Sequence, residues 1–165
     1  MHGILPYYGL NVAYLDFGFL YQDPAGAVLE ANRWYTLSAA IGRRYDVNAA
    51  AYTISVWAGT PSEGYQRIAY YAGSTGDQQP GEWLTRSVRF QTFEGNLDEH
   101  VGKQLRVALS RAVLSGGQVN FDTVALDVSD TPEPAAIALF GTVALGLGAA
   151  AWRRAKHPPA HRGGR

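Results

Sequence analysis

The sequence of 165 residues predicts an all-β body, an antiparallel β-sandwich or jelly roll, followed by a single C-terminal transmembrane helix. Three observations support this prediction. Short alternating apolar segments are separated by turn residues, only 17% of the residues are charged, and one long segment near the C-terminus carries no charge. We therefore divide the chain into a β-sandwich body, residues 1–130, and a terminal segment, residues 131–165.

Alternation identifies the strands of the body in order. In Trp34–Ile41 and again in Tyr52–Ala58, one face is apolar at every second residue, which is the period of a half-buried strand. Turn residues such as Gly59-Thr60-Pro61-Ser62 separate the segments. The other predicted strands are Val12–Asp16, Phe17–Gln22, Gln66–Tyr71, Trp83–Thr92, Gln104–Arg111 and Val119–Val128. Short strands with turns between them are typical of a sandwich or jelly roll.

The last predicted strand does not alternate regularly. Val124, Leu126 and Val128 share a face to which Phe121 does not belong. One extra residue in a strand reverses which side points inward. We therefore expect a β-bulge near Asp122 or Thr123.

The terminal segment contains the uncharged stretch AAIALFGTVALGLGAAAW at residues 135–152. A helix of roughly 20 apolar residues crosses a bilayer, so this stretch is long enough to span, and a buried core helix is the alternative. Residues 153–165 form a basic tail that begins with Arg153 and Arg154. Because basic residues next to a span stay on the cytoplasmic side, the body is predicted to lie outside the cytoplasm.

A proline-rich tripeptide precedes this span. Pro132, Glu133 and Pro134, followed by the span and by Arg153 and Arg154, resemble the PEP-CTERM sorting signal of Gram-negative bacteria. The resemblance implies that the protein is exported, is held in the inner membrane through the C-terminal helix and is processed by an exosortase. It also implies a final location at the cell surface or in the extracellular matrix.

Charge and composition exclude several functions. Five of the 14 Lys and Arg residues follow Trp152, so nine basic residues stand against 13 acidic ones in residues 1–131, a net charge of −4. The body therefore has no basic patch for a phosphate backbone, and nucleic acid is excluded as a partner. Cysteine is absent, which excludes disulfides, thiolate nucleophiles and cysteine-based metal sites.

The body resembles the galactose-binding-like jelly-roll domains that often precede PEP-CTERM signals. The motifs that carry this resemblance are Gly9-x-Asn11-Val12-Ala13-Tyr14, Tyr21-Gln22, Asn32-x-x-Tyr35-x-Leu37, Gly42-Arg43-Arg44 and Val119-Asn120-Phe121-Asp122-x-Val124. Such domains have one or two strands before the first motif, so we expect the N-terminus to be truncated, with Met1 not the true start. The resemblance also makes Asp122 a candidate ligand of a structural calcium ion, with an ordinary strand-end aspartate as the alternative.

No catalytic residue is predicted. His100 is the only histidine between His2 and the terminal segment, and its polar surroundings predict a solvated loop. A metal site built from Asp98, Glu99 and His100 would have no distinctive spacing. Because no nucleophile, metal or acid/base constellation stands out, the sequence predicts that the protein is not an enzyme and has no cofactor, and a surface hydrolase is the least favoured hypothesis.

Aromatic residues are the remaining candidates for ligand binding: Trp57, Tyr65, Tyr71 and Trp83. Exposed rings can stack on sugar faces, whereas packing in the core is the alternative. Trp57 is the best candidate, because it alternates out of phase with the apolar residues of its strand. The predicted function is an exported surface or matrix protein whose body binds carbohydrate, with exopolysaccharide as a partner. The alternative is a structural module that acts through protein contacts.

Overall fold

In a computed structural model of the protein, the described residues are 4–9, 12–93, 96–111 and 117–130. The chain divides into two units, Met1–Asp130 and Thr131–Arg165. The predicted transmembrane helix at 135–152 lies outside the described residues. Within the described ranges, no helix is long and apolar enough to cross a membrane.

The described residues form strands and two short 3₁₀ turns. The strands are β1 (Ala13–Leu15), β2 (Phe19–Gln22), β3 (Arg33–Gly42), β4 (Ala51–Thr60), β5 (Gly64–Ser74), β6 (Trp83–Gln91), β7 (Gln104–Arg111) and β8 (Val119–Asp130). The 3₁₀ turns are Thr75–Asp77 and Asp98–His100. Every strand predicted from the alternation is present, with ends that differ by a few residues.

The strands form two antiparallel four-stranded sheets. The first sheet has the order β1-β8-β3-β6, and the second sheet has the order β2-β7-β4-β5. Sequence neighbours such as β3 and β4 therefore lie in different sheets, which is typical of a sandwich. The predicted antiparallel sandwich is confirmed.

The core lies between the inner faces of the two sheets, where alternate residues of each strand meet. Its buried side chains are Leu15, Leu29, Tyr35, Leu37, Ala39, Ile41, Ala50, Tyr52, Ile54, Val56, Ala58, Leu105, Val107, Leu109, Val119 and Phe121. Full burial of one large aliphatic side chain contributes about 1.5–3 kcal/mol, so this layer is the main source of stability. It fixes which residues of each strand point outward.

The predicted bulge in β8 is confirmed. Ser38 of β3 pairs with Ala125, whereas Ala40 pairs with Asp122, so β8 carries one residue more than β3 over this stretch. Thr123 lies inside the bulge with φ +48°, a left-handed conformation that residues other than glycine seldom adopt.

The environment of His100 differs from the prediction. The residue is only 6% exposed, so the prediction of a solvated loop is wrong. Its backbone N–H donates to the Leu97 carbonyl at 2.9 Å, and its carbonyl accepts from the N–H of Lys103 at 3.0 Å. These two local bonds close consecutive turns within residues 97–103, and Leu97 packs against the core.

Candidate functional site

A cavity of about 570 Å³ lies on the outer face of the second sheet. All four strands of that sheet contribute to it, together with the turn between β4 and β5. The lining residues are Phe19, Tyr21, Ser55, Trp57, Pro61, Gly64, Tyr65, Arg67, Arg106, Ala108 and Ser110. The volume is within the range of small-molecule sites, roughly 300–1,000 Å³.

The strand register explains why these residues converge. Ala108 of β7 pairs with Tyr21 of β2 on one side and with Ser55 of β4 on the other. In the next row of that face, Arg106 pairs with Trp57. Directly paired residues point to the same face of a sheet, so the two small residues form the floor and the larger side chains form the walls.

An irregularity in β5 places a cation at the cavity. Val56 pairs with Ala69, but Trp57 pairs with Arg67, so Ile68 is the extra residue of a bulge. Arg67 therefore lies on the outer face beside Trp57. Its guanidinium carbon is 6.0 Å from the centre of the Trp57 ring and 4.2 Å from that of Tyr70, within the range of cation–π contacts.

Arg106 is held between two aromatic rings. Its guanidinium carbon lies 4.1 Å from the ring centre of Tyr21 and 3.8 Å from that of Tyr65. Its Nε and Nη2 donate to the two carboxylate oxygens of Asp23 at 2.6 and 2.8 Å. A bidentate pair combined with two ring contacts restricts all of these side chains to one arrangement.

The pairing with Arg106 determines the ionisation of Asp23. The hydrogen bond from Arg106 lowers the pKa of Asp23 below its usual value, and although partial burial opposes this effect, the charge of Arg106 adds to it. Asp23 is therefore a carboxylate at neutral pH. It can accept hydrogen bonds there but cannot donate a proton.

Hydrogen bonds also fix the aromatic walls. The Nε1–H of Trp57 donates to Ser55 Oγ at 2.9 Å, and Ser55 Oγ donates to the carbonyl oxygen of Ala108 at 3.2 Å. The Tyr65 hydroxyl donates to Gln104 Oε1 at 3.0 Å. Both rings are thus tied to the sheet that carries them, which is the preorganisation that a binding site needs.

The four aromatic residues predicted to bind a ligand are distributed over three places. Trp57 and Tyr65 line the cavity together. Tyr71 packs against the core, with its ring centre 6.3 Å from that of Tyr52. Trp83 lies on the first sheet, where its Nε1–H donates to the carbonyl oxygen of Leu5 at 2.9 Å.

Asp122 fixes the N-terminal segment. Its carboxylate accepts the N–H groups of Tyr7, Tyr8 and Thr123 at 2.9, 3.1 and 2.6 Å. Burial would raise the pKa of Asp122, but these donors outweigh it and lower the pKa below its usual value. In the part of the chain that the structure describes, no three His, Asp or Glu residues are grouped to hold a metal ion, and calcium binding stays a prediction.

Most residues of the site were not predicted from the sequence, namely Phe19, Tyr21, Asp23, Arg67 and Arg106. One signal was available, because Phe19, Tyr21 and Asp23 recur at every second position. That spacing places Phe19 and Tyr21 on one face of β2 and Asp23 directly after its end. The pairing of β2 with β7, which brings Arg106 to them, has no local trace in the sequence.

Comparison with known proteins identifies the body. A family model described as HpiC1 cyclase, HpiC1-like, matches residues 6–127. The chain belongs to the HpiC1-like cyclase family. Cyclases are enzymes, so the prediction that the protein is not an enzyme is wrong. The error arises because local motifs reveal nucleophiles and metal ligands, whereas functional side chains of a sandwich are brought together from separate strands.

Solved cyclases share the fold of this HpiC1-like protein. A cyclase from Fischerella sp. TAU aligns with a TM-score of 0.64 and 22% identity, over 80% of this chain and 71% of that chain. A complex of a Fischerella sp. TAU cyclase with 4-(1H-indol-3-yl)butan-2-one aligns with a TM-score of 0.63 and 21% identity, over the same shares. At such identities the similarity shows the fold alone. No curated protein matches the chain significantly.

A carbohydrate-binding protein also aligns with the chain. The protein is a Family 16 carbohydrate binding module, with a TM-score of 0.49 and 17% identity over 74% of this chain and 82% of that chain. This similarity is too low to support an argument about function. Carbohydrate binding therefore depends on the site itself.

The sorting signal is confirmed. A model of the PEP-CTERM protein-sorting motif matches residues 130–155. This range contains Pro132, Glu133, Pro134, Arg153 and Arg154, all of which lie outside the described residues. The motif indicates export and exosortase processing in a Gram-negative bacterium.

Proposed function

We propose that the protein is an exported cyclase that binds a flat aromatic substrate in the cavity of the second sheet and closes a ring there. One observation carries this proposal: a cavity of about 570 Å³ with aromatic walls, in a member of a cyclase family. Preformed pockets lined by aromatic residues and a few fixed polar groups are typical of small-molecule sites.

The walls favour an aromatic substrate. Phe19, Tyr21, Trp57 and Tyr65 surround a floor of small residues, and aromatic faces and edges pack well against another flat ring. The Fischerella cyclase with the same fold holds 4-(1H-indol-3-yl)butan-2-one, a flat bicyclic ring with a short chain. We extend that chemical class, an indole-like ring with a flexible chain, to this protein.

The side chains would act mainly by positioning. Ring closure needs the flexible chain of the substrate to fold over its own ring, and a rigid cavity that accepts the folded form lowers the entropic part of the barrier. Arg106 keeps the Tyr21 and Tyr65 rings in place for this. Tyr21, Tyr65 and Ser110 contribute hydroxyl groups to the lining, whereas Asp23, just outside it, is ionised and has no proton to donate.

The location follows from the sorting signal. We propose that residues 135–152 hold the exported chain in the inner membrane until an exosortase removes the signal. The body is then released to the cell surface or the extracellular matrix, where its substrate must also reach it. Expression of a chain that lacks residues 132–134 tests this step, and we expect the variant to accumulate in the membrane fraction.

Carbohydrate binding is the second candidate function. It is favoured by the rings of Trp57 and Tyr65 beside the charged pair of Asp23 and Arg106, a combination that can stack on a sugar face and bind its hydroxyl groups. Exopolysaccharide would be the natural ligand of such a site. A purely structural role would leave the cavity without any ligand.

Calorimetric titration of the full chain with 4-(1H-indol-3-yl)butan-2-one tests the first proposal. We expect saturable binding that Trp57→Ala weakens by about tenfold or more, since a ring contact and its buried area are lost. Trp34→Ala is the matched control, because Trp34 also lies under an arginine, with Arg89 at 4.0 Å, but on the first sheet.

A glycan array probed with the wild-type protein, Trp57→Ala and Trp34→Ala separates the cyclase function from carbohydrate binding. Indole binding that depends on Trp57, with a blank array, supports the cyclase site. Glycan binding that depends on Trp57, without indole binding, supports the second candidate. If neither ligand binds, or if Trp34→Ala is as damaging as Trp57→Ala, the cavity is not the functional site.

A further inference from the structure

The cavity has an uncompensated positive charge. Its lining contains two arginines, Arg67 and Arg106, and among its described lining residues none is acidic. Asp23 lies just outside the lining and neutralises Arg106 through a bidentate pair. The uncompensated positive charge of the cavity is therefore that of Arg67.

Arg67 makes ring contacts but no ion pair within the described part of the chain. Its contacts are with the rings of Tyr70 and Trp57. The nearest acidic residue in sequence, Glu63, pairs with Lys103 at 3.4 Å. Stacking on a ring uses the flat face of a guanidinium and leaves its N–H groups able to donate to a ligand.

We propose that the substrate carries a carboxylate that pairs with Arg67 while its aromatic ring lies against Trp57. This inference rests on the proposed function and defines its substrate class as an aromatic ring joined to a short carboxylate chain. The planar fork of a guanidinium matches the two oxygens of a carboxylate, so Arg67 would fix one end of the substrate. Trp57, next to it, would fix the other end.

Three indole compounds of similar size test the proposal: 4-(1H-indol-3-yl)butanoate, 4-(1H-indol-3-yl)butan-2-one and 4-(1H-indol-3-yl)butan-1-amine. We expect the carboxylate to bind the full chain about tenfold more tightly than the ketone, and the amine to bind most weakly. The preference for the carboxylate should decrease as salt is raised, because salt screens a pair at the protein surface.

Two variants and one control assign the effect to Arg67. Arg67→Gln should abolish the preference for the carboxylate, so that the carboxylate and the ketone bind this variant with equal affinity. Arg67→Lys should keep part of it, because lysine retains the charge but not the fork. Arg89→Gln removes the equivalent arginine of the first sheet, which stacks on Trp34, and should change nothing.

The outcomes separate this inference from the proposed function. If the wild-type protein binds all three compounds equally and Arg67→Gln has no effect, the inference is overturned, but the cavity remains the aromatic site. If none of the compounds binds saturably, or if Trp57→Ala leaves binding intact, the proposed function and the inference both fail. A carboxylate preference that disappears in Arg89→Gln but not in Arg67→Gln also overturns the inference.

Discussion

The two sheets are built alike on the inside and differently on the outside. On the first sheet, the central outward residues include short ones, with Ser38 of β3 paired with Ser87 of β6 and Ala40 with Thr85. Thr36 pairs with Arg89, which lies over the Trp34 ring on the same face. On the second sheet, small residues also occupy the centre, but aromatic residues and arginines surround them. Short side chains lie at the centre of both outer faces, and on the second sheet the surrounding rings and arginines enclose the cavity.

The difference shows what alternation alone determines. A period of two decides which side of the sheet a residue faces, and it does so equally well in both sheets. A cavity also requires small and large residues to be arranged across several strands, as Ser55 and Ala108 are between Trp57 and Tyr21. That arrangement depends on which strands pair and in which register.

The largest predicted effect is a loss of folding stability, and it tests whether the inner faces of the two sheets contribute equally to the core. Leu37 of β3 and Ile54 of β4 are both fully buried. We expect Leu37→Ala and Ile54→Ala each to lower the free energy of unfolding by about 2–5 kcal/mol, because each leaves a cavity in the core. Urea denaturation of the two variants measures this. A loss below 1 kcal/mol, roughly the scale of a surface substitution, for either variant would contradict the shared core.

A matched pair of serines tests the difference between the outer faces. Ser55→Ala removes the acceptor of the Trp57 Nε1–H, so we expect a loss of about 1 kcal/mol in stability and a shift in tryptophan emission. Ser38→Ala at the outer face of the first sheet should change stability by about 0.5 kcal/mol or less. Equal effects of the two substitutions would show that Ser55 does not fix the Trp57 ring.

The Asp23–Arg106 pair of the second sheet predicts that the folding stability of the protein depends on pH. Because the pKa of Asp23 is below its ordinary value of 3.8, its contribution to stability is present above that value and is lost as pH falls through the lowered pKa. The urea midpoints of wild type and Asp23→Asn should therefore differ by a constant amount above about pH 5 and converge below about pH 4. A difference that grows with acidification would contradict the pair.

The smallest effect is predicted at Asp122, on β8 of the first sheet. Asp122→Ala removes the carboxylate that accepts the N–H groups of Tyr7 and Tyr8. We expect faster hydrogen exchange of these two amides, with little change in global stability, because the affected backbone is exposed. Unchanged exchange rates would show that other contacts hold the segment.

The sequence predicts the strands of this fold well because its strongest signal is local. Each strand alternates within itself, and even the bulge of β8 is visible as the change of phase between Phe121 and Val124. The same signal identifies Trp57 as outward-facing. It fails for Tyr71, which pairs with Ile54 and therefore points inward, a fact that only the register of β4 and β5 decides.

The residues of the cavity could not be predicted from local sequence patterns. Asp23 and Arg106 are far apart in the sequence and meet only because β2 pairs with β7. Arg67 faces the cavity only because Ile68 forms a bulge. Enzymatic activity was missed for the same reason, since no strand carries a complete set of functional groups.

Arg106 sets the width of the cavity. One of the rings that it separates, Tyr21, belongs to a strand at one edge of the second sheet, and the other, Tyr65, belongs to the strand at the opposite edge. Each ring is held by its contact with this guanidinium, so a change at position 106 frees both rings. We therefore expect the thickness of an acceptable substrate to be controlled by this one residue, and a smaller side chain at position 106 to broaden the substrate range.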